Sequence, residues 1–166
     1  STLFPYTTLF RSDGGVEGVV IRLGKAFAKV EPKGRARLYA GAAALDATVA
    51  REAAKAGIAG LEFLRGVPGS IGGACMMNAG CYGAETKDVL VEAYAVTRRG
   101  ERVTLSNAEL GFTYRKSARA LAGDLVFTGA LFEGQADDPA AVTARMAISG
   151  GDRKSTRLNS SHRTVS

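Results

Sequence analysis

Six glycines fall within the eighteen positions 66–83, in the stretch GVPGSIGGACMMNAGCYG. Inside a regular element each glycine costs roughly 0.5–1 kcal/mol relative to alanine, so this density calls for a use that side chains would spoil. Pro68-Gly69 makes a tight turn. Ser70 stands where the N-cap of a short helix belongs, with Gly72 and Gly73 in its first turn. Asn78 supplies a directional amide, and NAGCYG ends the helix in a second turn. Two uses fit. In one, a helix packs tightly between two turns. In the other, bare backbone N–H groups face a large flat ligand that bears phosphates. The block has no Gly-Lys-Ser/Thr ending, so it is not a Walker-type loop, and Gly69-x-x-Gly72-Gly73 has the wrong spacing for a dinucleotide fingerprint. Taken alone, the stretch favours packing slightly.

The segments around it mix strands and helices. Residues 17–31 read as one or two strands, and 34–43 as a strand with Ala36, Leu38 and Ala40 on its buried face. Residues 44–57 read as a helix with Leu45, Val49, Ala53 and Ala56 on one face and Gly57 as its stop. A further helical turn is expected over 61–66, a hairpin over 87–106 with its turn at RRGE, and a buried strand over 123–134. SNAELG at 106–111 carries Ser106 and Glu109 at capping-box spacing. Asp138 and Pro139 open a helix over 138–147. No regular strand–helix–strand rhythm runs through these elements, so the fold class expected is α+β.

The chain has 166 residues, enough for one domain or two small ones. No apolar run approaches the roughly 20 residues that a membrane span needs, and the N-terminal residues lack the layout of a secretory signal. The net charge of +6 is concentrated at the ends. Arg153, Lys154, Arg157 and Arg163 against Asp152 supply +3, and Arg11 supplies +1, leaving +2 for residues 13–151. That middle has no basic stripe with interleaved aromatics, which argues against a nucleic-acid partner. Back-translated, TLFPYTTLFRS and DRKSTRLNSSH look like sequencing-library adaptors read in frame, so 1–12 and 152–166 are set aside as adaptor-derived tails. With His162 set aside, 13–151 contains no histidine, which removes a histidine metal site or general base from consideration. Cys75 and Cys81 match no usual metal-ligand pair and read as inert thiols in a reducing cytosol. Met76 and Met77 read as packing. Glu62, Glu85 and Glu92 show no acid–base spacing.

The second informative segment is SNAELGFTYRKS, 106–117. Arg115 sits in a loop after the short helix and presents a fork suited to a carboxylate or phosphate. A solvated surface arginine is the plainer alternative.

Together, GLEFLRGVPGSIGGACMMNAGCYGAE and TLSNAELGFTYRKS resemble the UDP-N-acetylenolpyruvoylglucosamine reductases, the MurB family of bacterial flavoenzymes in peptidoglycan synthesis. The resemblance covers essentially all of 13–151. The glycine block is shared more loosely with other flavoproteins of the vanillyl-alcohol-oxidase or PCMH type, and the Tyr-Arg-x-Ser segment is the more specific part. The resemblance implies an FAD-binding fold of two α+β subdomains followed by a substrate domain. Residues 13–31 would be a remnant of the first subdomain, 32–136 the second, and 137–151 the start of a connection to the substrate domain. Val67, Pro68, Gly69, Ser70, Ile71, Gly72 and Gly73, with Asn78, Ala79 and Gly80, would lie against the flavin and its pyrophosphate. Val126 would pass near the adenine. NADPH would reduce the flavin, Arg115 would serve catalysis beside the carboxylate of a UDP-sugar, and Tyr82 and Tyr114 would line the same cleft. The family's GxGSN loop, proton-donating serine and assisting glutamate have no counterpart here, and Ser117 does not match the donor. The expectation is a cytoplasmic flavoenzyme fragment that lacks activity by itself. The alternative is another FAD-dependent oxidoreductase of the same fold with a different substrate.

Overall fold

The computed structural model describes residues 20–147. The readings made for the two tails, for the strand start at 17–19 and for 148–151 lie outside the described residues. Its elements alternate without a repeat, as an α+β chain does. A 3-10 turn at Lys25–Ala28 leads into β1 (Val30–Pro32) and β2 (Arg37–Gly41). Then come α1 (Asp46–Lys55), β3 (Ile58–Ala59), a 3-10 turn at Glu62–Gly66 and α2 (Ile71–Met77). The short β4 (Gly80–Cys81), β5 (Ala84–Glu85) and α3 (Thr86–Val89) follow. The long β6 (Leu90–Thr97) and β7 (Arg102–Ser106) form a hairpin. Beyond it lie α4 (Asn107–Leu110), β8 (Phe112–Thr113), β9 (Lys116–Ser117), α5 (Ala118–Leu121), β10 (Leu125–Glu133) and β11 (Gln135–Ala136). A helix over 139–147 closes the described chain.

Five strands make one antiparallel sheet in the order β1-β2-β10-β6-β7. Alternation decides which face is buried. Leu38, Ala40, Ala93, Ala95, Phe127, Ala130 and Phe132 point to the core, where α1 and α2 bring Val49, Ala53, Ile71 and Cys75. Tyr39, Tyr94, Val126 and Leu131 occupy the other face and are half-buried. Tyr39 and Tyr94 meet there at 5.9 Å between ring centroids, and the Tyr94 hydroxyl donates to Glu92. Among the described residues, no helix is long and apolar enough to cross a membrane.

Local signals placed most elements. Ser106 caps α4 through the reciprocal Ser106–Glu109 bonds, and Asp138 accepts from the Ala141 N–H at 3.0 Å. Gly57, at φ +66°, stops α1. Four expectations about the elements need correction. Of the strands expected over 17–31, the described part holds only β1, because Lys25–Ala28 coils into a 3-10 turn. Leu45 is 60% exposed, because it is the extended residue before α1 and not part of its face, and Ala56 at the other end is also exposed. Residues 87–89 are helical rather than strand, because Glu85 and Asp88 form a capping box around α3. Ser70 precedes α2, but its side chain makes no capping bond. The boundary expected between 31 and 32 falls within β1, which is one edge of the five-stranded sheet.

Candidate functional site

The glycine block has two parts in space. Some of its glycines are there for packing. A Cβ on Gly66 would come within 2.6 Å of Cys81 Sγ, one on Gly72 within 3.2 Å of Ala42, and one on Gly80 within 2.6 Å of the Ala84 carbonyl. The first N–H groups of α2 are also taken, since Ile71 donates to Ala44 O at 3.0 Å and Gly72 to Ala42 O at 2.9 Å. The rest of the block faces outward. Pro68, Gly69 and Gly73 are exposed, and a Cβ on Gly73 would meet nothing within 4 Å. Val67 and Ser70 are half-buried beside them, whereas Ile71 is fully buried in the core. The turn and one side of α2 thus leave a surface without side chains, while Ile71 and Gly72 hold that surface to the sheet.

Beneath the turn lies a feature that the sequence did not announce. Asp46, the first residue of α1, is fully buried, and neither carboxylate oxygen has a hydrogen-bond partner among the described residues. Its backbone N–H donates to Gly69 O at 3.1 Å. Its Oδ2 lies 3.0 Å from where a Gly69 Cβ would be, which explains why this turn residue carries no side chain. Burial pushes the carboxyl up to about 7. Cys75 is equally buried, and burial, helped by the nearby Asp46 charge, pushes its thiol up to about 12. It is an inert thiol, as expected. Among the described residues no group of three or more histidine, cysteine or carboxylate side chains could hold a metal ion.

At the other end of α2 the chain turns into two short hairpins. β4 and β5 join through Tyr82-Gly83, and β8 and β9 join through Tyr114-Arg115. Three non-glycine residues among those described have positive φ: Asn78 at 45°, Tyr82 at 56° and Arg115 at 52°. All three belong to this corner. Backbone of this kind costs about 1–3 kcal/mol per residue and persists where surrounding contacts impose it, commonly at ligand sites. The hairpins border a cavity of about 480 Å³ lined by Asn78, Cys81, Glu85, Lys87, Tyr114 and Arg115, among others. Arg115 is exposed, with its guanidinium 5.8 Å from the Tyr114 ring centroid. Lys87 pairs with Glu85 at 2.9 Å. That contact, with help from Asn78, holds the Glu85 carboxyl below its usual range. Among the described residues, Arg115 is the cation at this cavity for which no carboxylate contact is found, so it can receive an anionic group.

The structure therefore brings Arg115, Tyr114 and Asn78 to one cavity and places Tyr82 on the hairpin beside it. Val126, expected near the adenine, is half-buried on the sheet face of Tyr39 and Tyr94, opposite the face where Leu125 and Phe127 join the core. Asn78 is 1% exposed with both amide donors engaged inside the protein, so any ligand contact there falls to its backbone. Ala79 and Gly80 lead from it into β4, and the Ala79 carbonyl accepts from the Thr86 hydroxyl and N–H. Ser117 is fully buried, donates to Leu110 O at 2.9 Å and accepts from Ala120 N–H, which makes it a helix cap rather than a proton donor.

A sheet of this order, with α2 and its glycine turn packed on its buried face, is an FAD-binding fold of the PCMH type, and the chain belongs to the FAD binding domain family, whose model matches residues 7–106. Its relatives include reductases of one kind. The chain is 81% identical over 140 residues to the UDP-N-acetylenolpyruvoylglucosamine reductase of Phenylobacterium zucineum (strain HLK1), covering 84% of this chain and 46% of that protein. It is 56% identical over 151 residues to the enzyme of the same name from Caulobacter sp. (strain K31), covering 91% and 49%. The crystal structure of UDP-N-acetylenolpyruvylglucosamine reductase (MurB) from Thermus caldophilus matches with a TM-score of 0.73 at 34% identity, over 84% of this chain and 50% of that one. The chain spans about half the length of the curated relatives it matches.

Proposed function

We propose that this chain is the flavin-holding part of an NADPH-dependent reductase that converts UDP-N-acetylenolpyruvoylglucosamine to UDP-N-acetylmuramate in bacterial peptidoglycan synthesis. The observation that carries the reading is the corner where the strained Tyr82 and Arg115 turns stand beside a cavity of about 480 Å³. The side-chain-free surface at Gly69 and Gly73 suits a flat isoalloxazine and the backbone approach of a pyrophosphate. When bound, FAD supplies the hydride chemistry. This chain's residues orient and polarise. Arg115 holds the enolpyruvyl carboxylate by its guanidinium fork and stabilises the negative charge that builds on the enol side as the double bond is reduced. Lys87 stands on the same wall, where its charge is already met by Glu85 at 2.9 Å. Tyr114 stacks behind the guanidinium and limits its rotamers, and Tyr82 flanks the sugar-nucleotide path. Binding in the cytoplasm, where both NADPH and UDP-sugars occur, belongs to the same reading.

The test uses the complete protein that carries this segment. Arg115→Ala is expected to keep its flavin absorbance and its reduction by NADPH, and to slow flavin reoxidation by the UDP-sugar by at least about 100-fold, as loss of one charged transition-state contact does. Loss of flavin in parallel with the reoxidation rate would remove Arg115 from the substrate side.

A further inference from the structure

The family resemblance puts Asn78 against the cofactor, but its side chain points elsewhere. It is 1% exposed, and it ties the end of α2 to β5 and α3, 7 and 9 positions on, and to the start of the Tyr114-Arg115 turn, 35 positions on. Its Nδ2 donates to Glu85 Oε2 at 2.8 Å, on β5, and to the Thr113 carbonyl at 3.1 Å, where the Tyr114-Arg115 turn begins. Its Oδ1 accepts from the Lys87 N–H at 3.0 Å, in α3. Each hairpin it ties carries one of the strained residues, Tyr82 on the first and Arg115 on the second. Neither turn has the Asn-Gly or Asp-Gly sequence that would adopt such a conformation unaided. Asn78 is itself left-handed, and it ends α2 with the Ala79 N–H bonded back to Ala74 O at 3.1 Å.

We propose that Asn78 is a positioning residue: through its bond to the Thr113 carbonyl it holds the Tyr114-Arg115 turn in its left-handed form and aims the Arg115 guanidinium into the cavity. Through Glu85 it sets the Tyr82 turn in the same way. Because Asn78 closes α2, the glycine-turn helix and the arginine turn are fixed to each other by one carboxamide. The consequence for carboxylate binding rests on the function proposed above; the positioning itself does not.

Three variants of this chain test it. Asn78→Gly keeps the backbone freedom that φ +45° needs and removes all three side-chain bonds. Asn78→Asp keeps the acceptor for Lys87 but turns an oxygen toward both the Glu85 carboxylate and the Thr113 carbonyl. Asn78→Asp with Glu85→Gln restores a donor from residue 85 and still leaves Thr113 without its donor. Two amides report the two hairpins: Ala118 N–H, bonded to Gly111 O across the second, and Thr86 N–H, bonded to Ala79 O across the first. Hydrogen exchange in Asn78→Gly is expected to be at least tenfold faster at both. The double variant should return Thr86 to the wild-type rate and leave Ala118 fast. The strong intraresidue HN–Hα NOE of a positive φ should follow the same division, restored at Tyr82 and lost at Arg115. If Ala118 and the Arg115 signature stay native in Asn78→Gly, or recover with Thr86 in the double variant, the Thr113 bond does not position the arginine. Should Asn78→Gly fail to fold, the double variant alone decides.

Discussion

Asp46 is the residue whose chemistry is most out of balance. It is buried without a hydrogen-bond partner, and burial raises its carboxyl to about 7. The unfolded chain titrates it near the ordinary value of 3.8. Between those two values the folded state keeps a proton that the unfolded state releases, so stability falls as pH rises from about 4 to about 7 and stays at the lower level above it. Cys75, the titratable neighbour that feels Asp46, remains a thiol throughout this range. Asp46→Asn keeps the shape and removes the ionisation. Thermal melts of the two proteins are expected to coincide near pH 4 and to separate by at least about 5 °C at pH 8, with the variant the more stable. Parallel curves would show that Asp46 finds a partner when ionised. None of this was legible in ALDATVAREAAK, because an aspartate at a helix start is the ordinary N-terminal signal, favoured by the helix dipole. Its burial comes from the Gly69 turn folding over it, a contact 23 positions away in sequence.

At the scale of elements, α2 shows both uses of glycine in adjacent positions. Gly72 faces Ala42 of the strand exit, with 3.2 Å between that methyl and a built Cβ. Gly73 faces open space. Gly72→Ala is expected to cost about 1–3 kcal/mol, because a well-packed contact must give way. Gly73→Ala is expected to stabilise by up to about 1 kcal/mol, because alanine is the better helix former and meets nothing. Urea midpoints measure both. On the proposed reading Gly73→Ala also weakens flavin binding in the complete protein, so its stability and its cofactor affinity move in opposite directions. Of the two readings that the sequence left open, packing accounts for Gly66, Gly72 and Gly80, and the proposed flavin surface concerns Gly69 and Gly73. Elements with local signals were legible: the Ser106–Glu109 box, the Asp138-Pro139 start and the Gly57 stop each act within a few residues. The hairpins at Tyr82 and Arg115 were not. Their bulky turn residues would not choose a positive φ by themselves, and the carboxamide of Asn78 imposes it from outside. Tyr114 and Arg115 were singled out by the resemblance and not by turn chemistry, and the structure sets both on the wall of one cavity.

On the scale of the whole molecule, one sheet face carries the core and the other does not. β10 lies in the middle, paired with β2 on one side and β6 on the other. Its neighbours Leu131 and Phe132 are consecutive and point to opposite faces, Phe132 at 0% exposure and Leu131 half-buried. The period-2 rule makes them a matched pair: same strand, same two neighbouring strands, different burial. Phe132→Ala leaves a cavity among Leu38, Leu90 and the helices behind them, at a cost of about 3–5 kcal/mol. That is a large share of the 5–15 kcal/mol typical of a folded domain. Leu131→Ala removes fewer buried contacts beside Tyr39 and Glu92, which stand in register with it across β2 and β6, and should cost less than half as much. Urea unfolding is expected to show the large drop for Phe132 and the small one for Leu131, with the slope unchanged in both. Equal losses would mean that the Tyr39–Tyr94 face is as closely packed as the helix face, and the sheet would then have to be treated as covered on both sides.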